Sequence, residues 1–203
     1  MKFLNNDCKL VHNNVNMSSV YVNKAGDWKL AGFEYSHGVE DQNVPYKVLT
    51  TLDCYEPPEK QPANNLHTNR NSISHESSVD SYGFGCLIWE IFNGNLPSAT
   101  ALKNPGKIPS RLEAAYKQLI NPQSNKRLNL EKFINVCRQT NGFMDNHFVD
   151  TLLFLEQIQI KDQSEKTKFF TDLTPMVDDF PRNLCLFKIL PELLNAYEFG
   201  NAG

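Results

Sequence analysis

The residues that could do chemistry lie in two stretches near the N-terminus. Positions 11 to 22 read V-H-N-N-V-N-M-S-S-V-Y-V and positions 28 to 34 read W-K-L-A-G-F-E. Carboxylate side chains serve as general bases, and carboxylate and amide oxygens serve as ligands for divalent cations. Asn14 is an uncharged amide and cannot serve as a carboxylate base. Gly32 has no side chain with which to bind a cation, and Ser19 offers one weak oxygen ligand.

Short strands are predicted to position these stretches. Residues 9–11, 20–22 and 28–31 are β-rich runs, and residues 23–26 have the composition of a turn. The pattern therefore predicts two short strand pairs at the start of the chain. Asn16-Met17-Ser18 matches an N-glycosylation pattern, but no secretory signal accompanies it, so we expect no glycan there.

The composition of the sequence changes at residue 79, where an apolar run begins. Residues 79–92 are apolar almost all round, which predicts a helix in the middle of a core that ends at Gly94. Ser110, with Glu113 three residues later, predicts a capping box that opens a second helix. A third helix is predicted at about 129–139.

Three amphipathic helices with short links are predicted from Asn146 onward. This arrangement is typical of the opening of an α-solenoid, although no true repeat is detectable. The alternative is a helical cap on the first domain. The sequence thus predicts a mainly α protein, with one domain at 1–140 and a second helical segment at 141–203.

Composition narrows the class of protein. The 203 residues carry 20 Lys and Arg against 23 Asp and Glu, and a net charge of -3 gives no footprint for general nucleic-acid binding. No apolar run is long enough to span a membrane, and residues 1–10 lack the apolar core of a signal peptide. The five cysteines are scattered without C-x-x-C spacing, which excludes an obvious zinc site and argues against a disulfide framework. We expect a soluble, intracellular chain with free thiols.

The order of the motifs resembles the C-terminal lobe of a protein kinase. Pro57-Pro58-Glu59, S-V-D-S-Y-G-F-G at 78–85 and N-K-R-L at 125–128 follow the two opening stretches. By this resemblance His12 is the histidine of the catalytic loop, and Asn14 stands where the loop has its aspartate base. Ser19 replaces the metal-binding asparagine, and the D-F-G triplet becomes Gly32, Phe33 and Glu34.

The structural parts of the kinase pattern are retained. Glu59 resembles the glutamate of the A-P-E triplet and Arg127 its buried partner, which implies an ion pair. Asp80 resembles the aspartate that accepts N–H bonds from the catalytic loop, and His12 and Phe33 resemble two members of the hydrophobic spine. Retained architecture with deleted chemistry implies a pseudokinase with no catalytic residue, bound metal or cofactor.

Two positions leave alternatives open. Glu34 lies two residues from Gly32 and could present a carboxylate nearby, although adjacent backbone positions point elsewhere. Asn13 stands where active kinases have an arginine that pairs with a phosphorylated activation segment. Thr50 and Thr51 lie in that segment but lack the expected cationic partner.

The amino-acid sequence of the degenerate motifs resembles that of the SCY-like family, also called N-terminal kinase-like proteins. H-N-N-V at 12–15, W-K-L-A-G-F-E-Y at 28–35 and A-Y-E-F-G-N-A-G at 196–203 carry the resemblance. It implies a catalytically poor kinase-like domain followed by HEAT repeats. It further implies a cytoplasmic scaffold, peripheral to the Golgi or the ER–Golgi intermediate compartment, in coatomer-dependent retrograde vesicle traffic. A tRNA-export role is also associated with the family, and the near-neutral charge makes it the weaker alternative.

The chain departs from the family pattern in its extent. We find no Gly-rich loop, V-A-I-K lysine or Glu-bearing helix, the parts that would roof a nucleotide cleft. We therefore expect no ATP binding without an N-lobe, and we interpret the chain as a truncated isoform, a partial gene model or a fragment. Residual kinase activity is the enzymatic alternative. The expected partners are proteins, with coatomer as a partner of a full-length protein only.

Overall fold

The computed structural model describes residues 1–41, 54–60 and 77–199, and its architecture is mainly helical, which confirms the predicted fold class. The α-helices are α1 (Lys2–Asn6), α2 (Ser78–Asn93), α3 (Ser110–Leu119), α4 (Leu130–Arg138), α5 (His147–Glu156), α6 (Gln163–Leu173), α7 (Arg182–Leu184) and α8 (Leu190–Phe199). The strands are β1 (Leu10–Val11), β2 (Val20–Val22), β3 (Trp28–Leu30) and β4 (His37–Gly38).

The chain divides into two compact units. The first holds Met1–Val20 and Leu30–Phe143, and the second holds Tyr21–Lys29 and Met144–Gly203. The tip of the β2–β3 hairpin therefore groups with the C-terminal helices, which sequence periodicity did not indicate. The predicted domain boundary at residue 140, and the reading of the second segment as a HEAT-like solenoid, stay predictions.

Two small antiparallel pairings frame the opening stretches. β1 pairs with β4, with Leu10 opposite Gly38 and Val11 opposite His37. β2 pairs with β3 to form a hairpin. Because β1 leads directly into His12, its pairing sets the direction in which the following loop leaves the sheet.

The central helix of the first unit is α2, and it is buried on most of its surface. Its apolar side chains leave no polar face, so neighbouring segments must cover it on all sides. Gly83 lets the preceding loop approach, since a Cβ there would lie 2.8 Å from the carbonyl oxygen of Val15. The helix ends at Gly94, whose φ of 90° suits glycine.

The predicted capping box of α3 is wrong. Ser110 is the first helical residue, Pro109 is the N-cap, and no side-chain cap bond forms. The carbonyl oxygen of Pro109 accepts from the backbone N–H groups of Leu112 and Glu113 instead. Asparagine caps the next helix, because Asn129 Oδ1 accepts from the N–H of Lys132 at 2.8 Å.

The second unit has its own apolar core, in which aromatic rings pack between the helices. The ring of Phe154 stacks on that of Phe169 with a centroid distance of 4.1 Å. The fully buried members of this core are Leu155, Ile158, Leu173 and Ile189.

The last helix contains a π-helical segment, Cys185–Ile189, between α7 and α8. Its cause is Pro191, which has no N–H to donate and whose ring would clash with the carbonyl of residue 187 in an α-helix. The N–H of Leu190 bonds the carbonyl oxygen of Cys185, five residues back, and this wider turn accommodates the ring. Sequence periodicity predicted one helix here but not its widened turn.

Candidate functional site

Asp80, in the first turn of α2, holds the start of the loop that follows β1. Its side chain is 1% exposed. Oδ2 accepts from the backbone N–H of His12 at 2.8 Å and from Asn5 Nδ2 at 2.7 Å, and Oδ1 accepts from the N–H of Asn13 at 2.8 Å. The carboxylate thereby provides an acceptor for three buried hydrogen-bond donors. Sequence reasoning missed Asn5, since nothing local marks a contact 75 residues away.

His12 is fully buried between the loop and the segment after β3. Its Nε2–H donates to the carbonyl oxygen of Ala31 at 2.9 Å, and its Nδ1 accepts from the N–H of Asn14 at 3.3 Å. A carbonyl can only accept, so Nε2 carries a proton. Because Nδ1 accepts a hydrogen bond, it carries none, and the ring is neutral. Burial lowers the pKa of His12, although the charge of Asp80 opposes the shift. The Phe33 ring packs edge-on against the His12 ring, with 4.8 Å between the ring centroids.

Asn14 uses both ends of its amide. Its Oδ1 accepts from Asn16 Nδ2 at 2.8 Å, while its Nδ2 donates to the Gly32 carbonyl at 3.3 Å and to Glu34 Oε1 at 3.5 Å. An aspartate here would set a carboxylate oxygen against a carbonyl and a second carboxylate. The local hydrogen bonding therefore suits the amide and opposes a base.

Gly32 lies against Asn14 and Ser19, so the structure brings the three degenerate positions together. Its φ is 79°, in the left-handed region that favours glycine. A Cβ at residue 32 would come within 2.7 Å of Asn14 Nδ2 and 3.3 Å of Ser19 Cβ. A carboxylate side chain at this position would thus require both backbone strain and movement of Asn14.

The hydroxyl of Ser19 is already engaged. Ser19 Oγ accepts from the N–H of Asn16 at 3.1 Å and donates to the carbonyl oxygen of Asn16 at 2.8 Å. The Asn16 side chain accepts in return from the N–H of Ser19, which completes a capping box over Met17–Ser19. Sequence reasoning treated Asn16 only as part of a glycosylation pattern, although N-x-x-S at a turn is also a cap signature.

Asn13, predicted to stand where active kinases have an arginine, makes a hydrogen bond through its amide and cannot form an ion pair. Its φ of 60° places it in the left-handed region, which asparagine tolerates. Lys60 Nζ donates to Asn13 Oδ1 at 3.0 Å. The predicted lack of a cationic partner for Thr50 and Thr51 concerns positions outside the described residues.

Glu59 and Arg127 form a bidentate ion pair, with N–O distances of 2.6 and 2.7 Å. The Arg127 side chain is 1% exposed and that of Glu59 24%. Arg127 Nε donates to the carbonyl oxygen of Asn121 at 2.7 Å, and the guanidinium lies 4.9 Å from the centre of the Tyr82 ring. The pair fastens the Pro58–Lys60 turn to the end of α3 and the start of α2.

A second buried carboxylate, Glu90 of α2, was not predicted. Tyr55 OH donates to its Oε2, and the N–H of Leu96 donates to its Oε1 at 2.8 Å. Its oxygens bond protein donors. Glu90 therefore fixes the chain after α2.

The arrangement offers no metal centre within residues 1–41, 54–60 and 77–199, where no three His, Cys, Asp or Glu side chains come together to hold an ion. In the same ranges no helix has the length and apolar character needed to cross a membrane. Around Asn14, the side chains hydrogen-bond one another, and the exposed Glu34 presents a carboxylate.

Comparison with known proteins gives consistent relatives. No family model matches the chain. It is 36% identical over 202 residues to the probable inactive serine/threonine-protein kinase scy1 of Dictyostelium discoideum. It is 29% identical over 199 residues to the mouse protein-associating with the carboxyl-terminal domain of ezrin, and 23% identical over 226 residues to mouse SCY1-like protein 2.

The alignments cover 98%, 97% and 97% of this chain but 24%, 26% and 23% of the relatives. The chain thus spans about a quarter of the length of the curated relatives it matches.

Proposed function

This chain is a homologue of the SCY1 and SCY1-like protein kinase-like proteins, and from that relationship we propose that it is a non-catalytic kinase-like module that binds other proteins. The observation that carries the proposal is the bonding of Asn14, whose amide donates to Gly32 and accepts from Asn16. Neither the base nor the metal carboxylate on which phosphoryl transfer depends is present at these positions.

Protein binding as the positive function rests on three further observations. One relative is named for its association with the carboxyl-terminal domain of ezrin, so a protein of this kind serves in protein–protein contact. The net charge of -3 supports a protein partner over a nucleic acid. Aromatic side chains such as Trp28 and Tyr197 are exposed and are of the type enriched at protein interfaces.

Vesicle traffic between Golgi and endoplasmic reticulum is the finer part of the proposal and rests on the family resemblance. It is tested by expressing the chain with a small tag in cells and isolating Golgi membranes on a gradient. Cofractionation with coatomer that is lost on coatomer depletion supports the role. A uniform cytosolic distribution in both conditions opposes it.

The absence of catalysis is tested with purified protein, Mg-ATP and a generic substrate. We expect phosphate transfer at the background rate and the same rate for Asn14→Ala. Transfer that Asn14→Ala abolishes would overturn the proposal, because it would show the loop doing chemistry.

Residual metal-dependent nucleotide binding is the second candidate, and Glu34 favours it. Its Oε1 lies 3.5 Å from Asn14 Nδ2 and offers an oxygen ligand beside the degenerate loop. Thermal unfolding with ATP, with and without Mg²⁺, distinguishes the two candidates. A Mg²⁺-dependent rise in melting temperature that Glu34→Gln removes would favour nucleotide binding, whereas no shift in either condition favours the non-catalytic module.

A further inference from the structure

We propose that two adjacent cavities in the second unit bind a basic amphipathic helix of a partner protein. The smaller cavity has a volume of about 180 Å³ and lies between α5 and α6. The larger, of about 450 Å³, lies between the start of α5 and the segment 176–181. His147 and Met176 line both cavities and form the wall that they share. The inference rests on the proposed function, protein binding, and adds the surface that binds and the chemistry of the partner.

An aromatic pair lines each cavity. The rings of Phe154 and Phe169, stacked with 4.1 Å between their centroids, line the smaller one. Phe148 and Phe180, packed edge to face with 5.4 Å between their centroids, line the larger one. Rings that pack on each other keep their positions without a ligand, so each cavity offers a preformed surface to an apolar side chain. Met176, half-buried in the shared wall, is an unbranched side chain that adapts to different apolar groups.

Carboxylates border these apolar surfaces. Asp150 and Asp172 line the smaller cavity and Asp179 the larger, and all three residues are exposed. Among the described residues none of the three has an ion-pair partner, and no lysine or arginine lines either cavity. Lys161, 5.6 Å from the centre of the Phe154 ring, is paired with Glu165 at 3.0 Å and leaves the aspartates uncompensated. This charge attracts lysine and arginine side chains and repels nucleic acid and anionic lipid.

The elements around the cavities indicate the form of the ligand. The walls come from α5, α6 and the turn Val177–Asp179, and none of these is a strand to which a partner could add another strand. Recognition therefore depends on the side chains of the partner. A helix with apolar residues at i and i+3 or i+4 directs two anchors toward neighbouring cavities and keeps its lysines or arginines beside the aspartates.

The test is the fluorescence anisotropy of a labelled peptide of about 16 residues, made of leucine, alanine and lysine with the leucines on one helical face. We expect saturable binding to the whole chain with a Kd below about 100 μM. One control peptide has glutamate in place of lysine, and another has the same composition with the leucines scattered. Both are expected to bind at least about tenfold more weakly. No saturable binding of the lysine peptide up to about 1 mM, or equal binding of either control peptide, would overturn the inference.

Reversal of one charge tests the aspartates. Residue 172 lies in the last turn of α6, where the helix dipole tolerates a lysine, and Asp172→Lys is expected to weaken binding about tenfold. Glu156→Lys makes the same charge change at an exposed residue of α5 outside both linings. It is expected to weaken binding less than about threefold. Equal weakening by the two variants would show general charge attraction and overturn the site.

A polar substitution tests the apolar anchors. Met176→Gln keeps the length of the side chain in the shared wall and is expected to weaken binding about tenfold. Leu186→Gln, at a leucine that is 44% exposed and outside both linings, is expected to change binding less than about twofold. The melting temperature of each variant checks its folding. Equal weakening by the two variants would show general apolar adhesion and overturn the site.

Sedimentation velocity distinguishes a partner protein from a second copy of this chain. We expect Asp172→Lys to leave the self-association of the chain unchanged. Loss of self-association in this variant would assign the cavities to a second copy and overturn the inference. Failure of the peptide to bind would leave the phosphate-transfer and cofractionation results as they are, so failure of this inference and failure of the proposed function are distinguishable.

Discussion

The side chain of Asn14 and the missing side chain of Gly32 fit each other. The amide donates to the Gly32 carbonyl, and a Cβ on residue 32 would lie 2.7 Å from that same amide nitrogen. An aspartate at either position would therefore meet resistance from the other. Asn14 and Gly32 are thus coupled by direct contact, and the polar groups of this loop hydrogen-bond one another.

This coupling predicts the cost of a single methyl group at Gly32. Gly32→Ala and Gly26→Ala both place alanine at a φ near 80°, but the nearest atom to a Cβ at residue 26 is 3.9 Å away. We expect both variants to carry left-handed strain of about 1 kcal/mol, and Gly32→Ala to lose about 1–2 kcal/mol more in urea unfolding.

The control is to measure Gly32→Ala in two backgrounds, the unsubstituted chain and Asn14→Ala. In Asn14→Ala the obstructing amide is gone, so the extra cost of Gly32→Ala should largely disappear. An unchanged extra cost in that background would show that the contact with Asn14 is not its source.

The buried neutral His12 predicts acid sensitivity. Its pKa is lowered by burial in the folded chain, whereas the unfolded chain takes up the proton near the ordinary value of 6.5. Below pH 6.5 the unfolded state therefore binds more protons, and stability falls as the pH decreases toward the lower folded pKa. Above about pH 6.5 this contribution to the pH dependence vanishes.

The measurement is the free energy of unfolding by urea between pH 7.5 and 5.5. His12→Asn lacks a titrating ring, so although it is less stable at neutral pH, its stability should depend less on pH over this interval. A slope as steep as that of the unsubstituted chain would assign the acid sensitivity to other groups.

At the scale of elements, the ion pair of Glu59 and Arg127 joins the Pro58–Lys60 turn to the helices. We expect Glu59→Gln to lower the free energy of unfolding by about 2–3 kcal/mol, because it leaves the buried Arg127 guanidinium without its counter-charge; the partial exposure of Glu59 moderates the loss. Arg127→Met in the Glu59→Gln background should cost less than it does alone, which gives a positive coupling energy in a double-mutant cycle.

The exposed pair of Glu113 and Lys117 on α3 is the matched control. Its atoms are 2.5 Å apart, and the side chains of Lys117 and Glu113 are 56% and 36% exposed. The same cycle there should give a coupling of about 0.5 kcal/mol or less. Equal couplings for the two pairs would mean that burial of Arg127 adds nothing to the interaction.

For the molecule as a whole, several large apolar side chains are more than half exposed: Phe3, Tyr21, Val22, Trp28, Ile160 and Tyr197. Exposed apolar surface in excess of scattered single residues promotes association. We expect the purified chain to associate as its concentration rises, or to require a partner for solubility. Sedimentation velocity over a hundredfold concentration range checks this, and a monodisperse monomer with one cooperative melting transition would contradict it.

The order of the motifs and the helical periodicities were readable from the sequence by itself. The residue types at Asn14, Ser19 and Gly32 already determined what these positions can offer, because an amide, a hydroxyl and a hydrogen atom cannot act as a carboxylate base. The apolar run in α2 predicted its burial, since a helix without a polar face has no side to give to water.

Only the tertiary structure decided how these residues meet. The contact of Asn5 with Asp80 joins residues 75 positions apart, and the ion pair of Arg127 with Glu59 joins residues 68 positions apart. Sequence periodicity reports on neighbours within one element, whereas such contacts depend on how distant elements pack. The sequence thus determined which side-chain groups these positions carry, and the fold decided which hydrogen bonds those groups make.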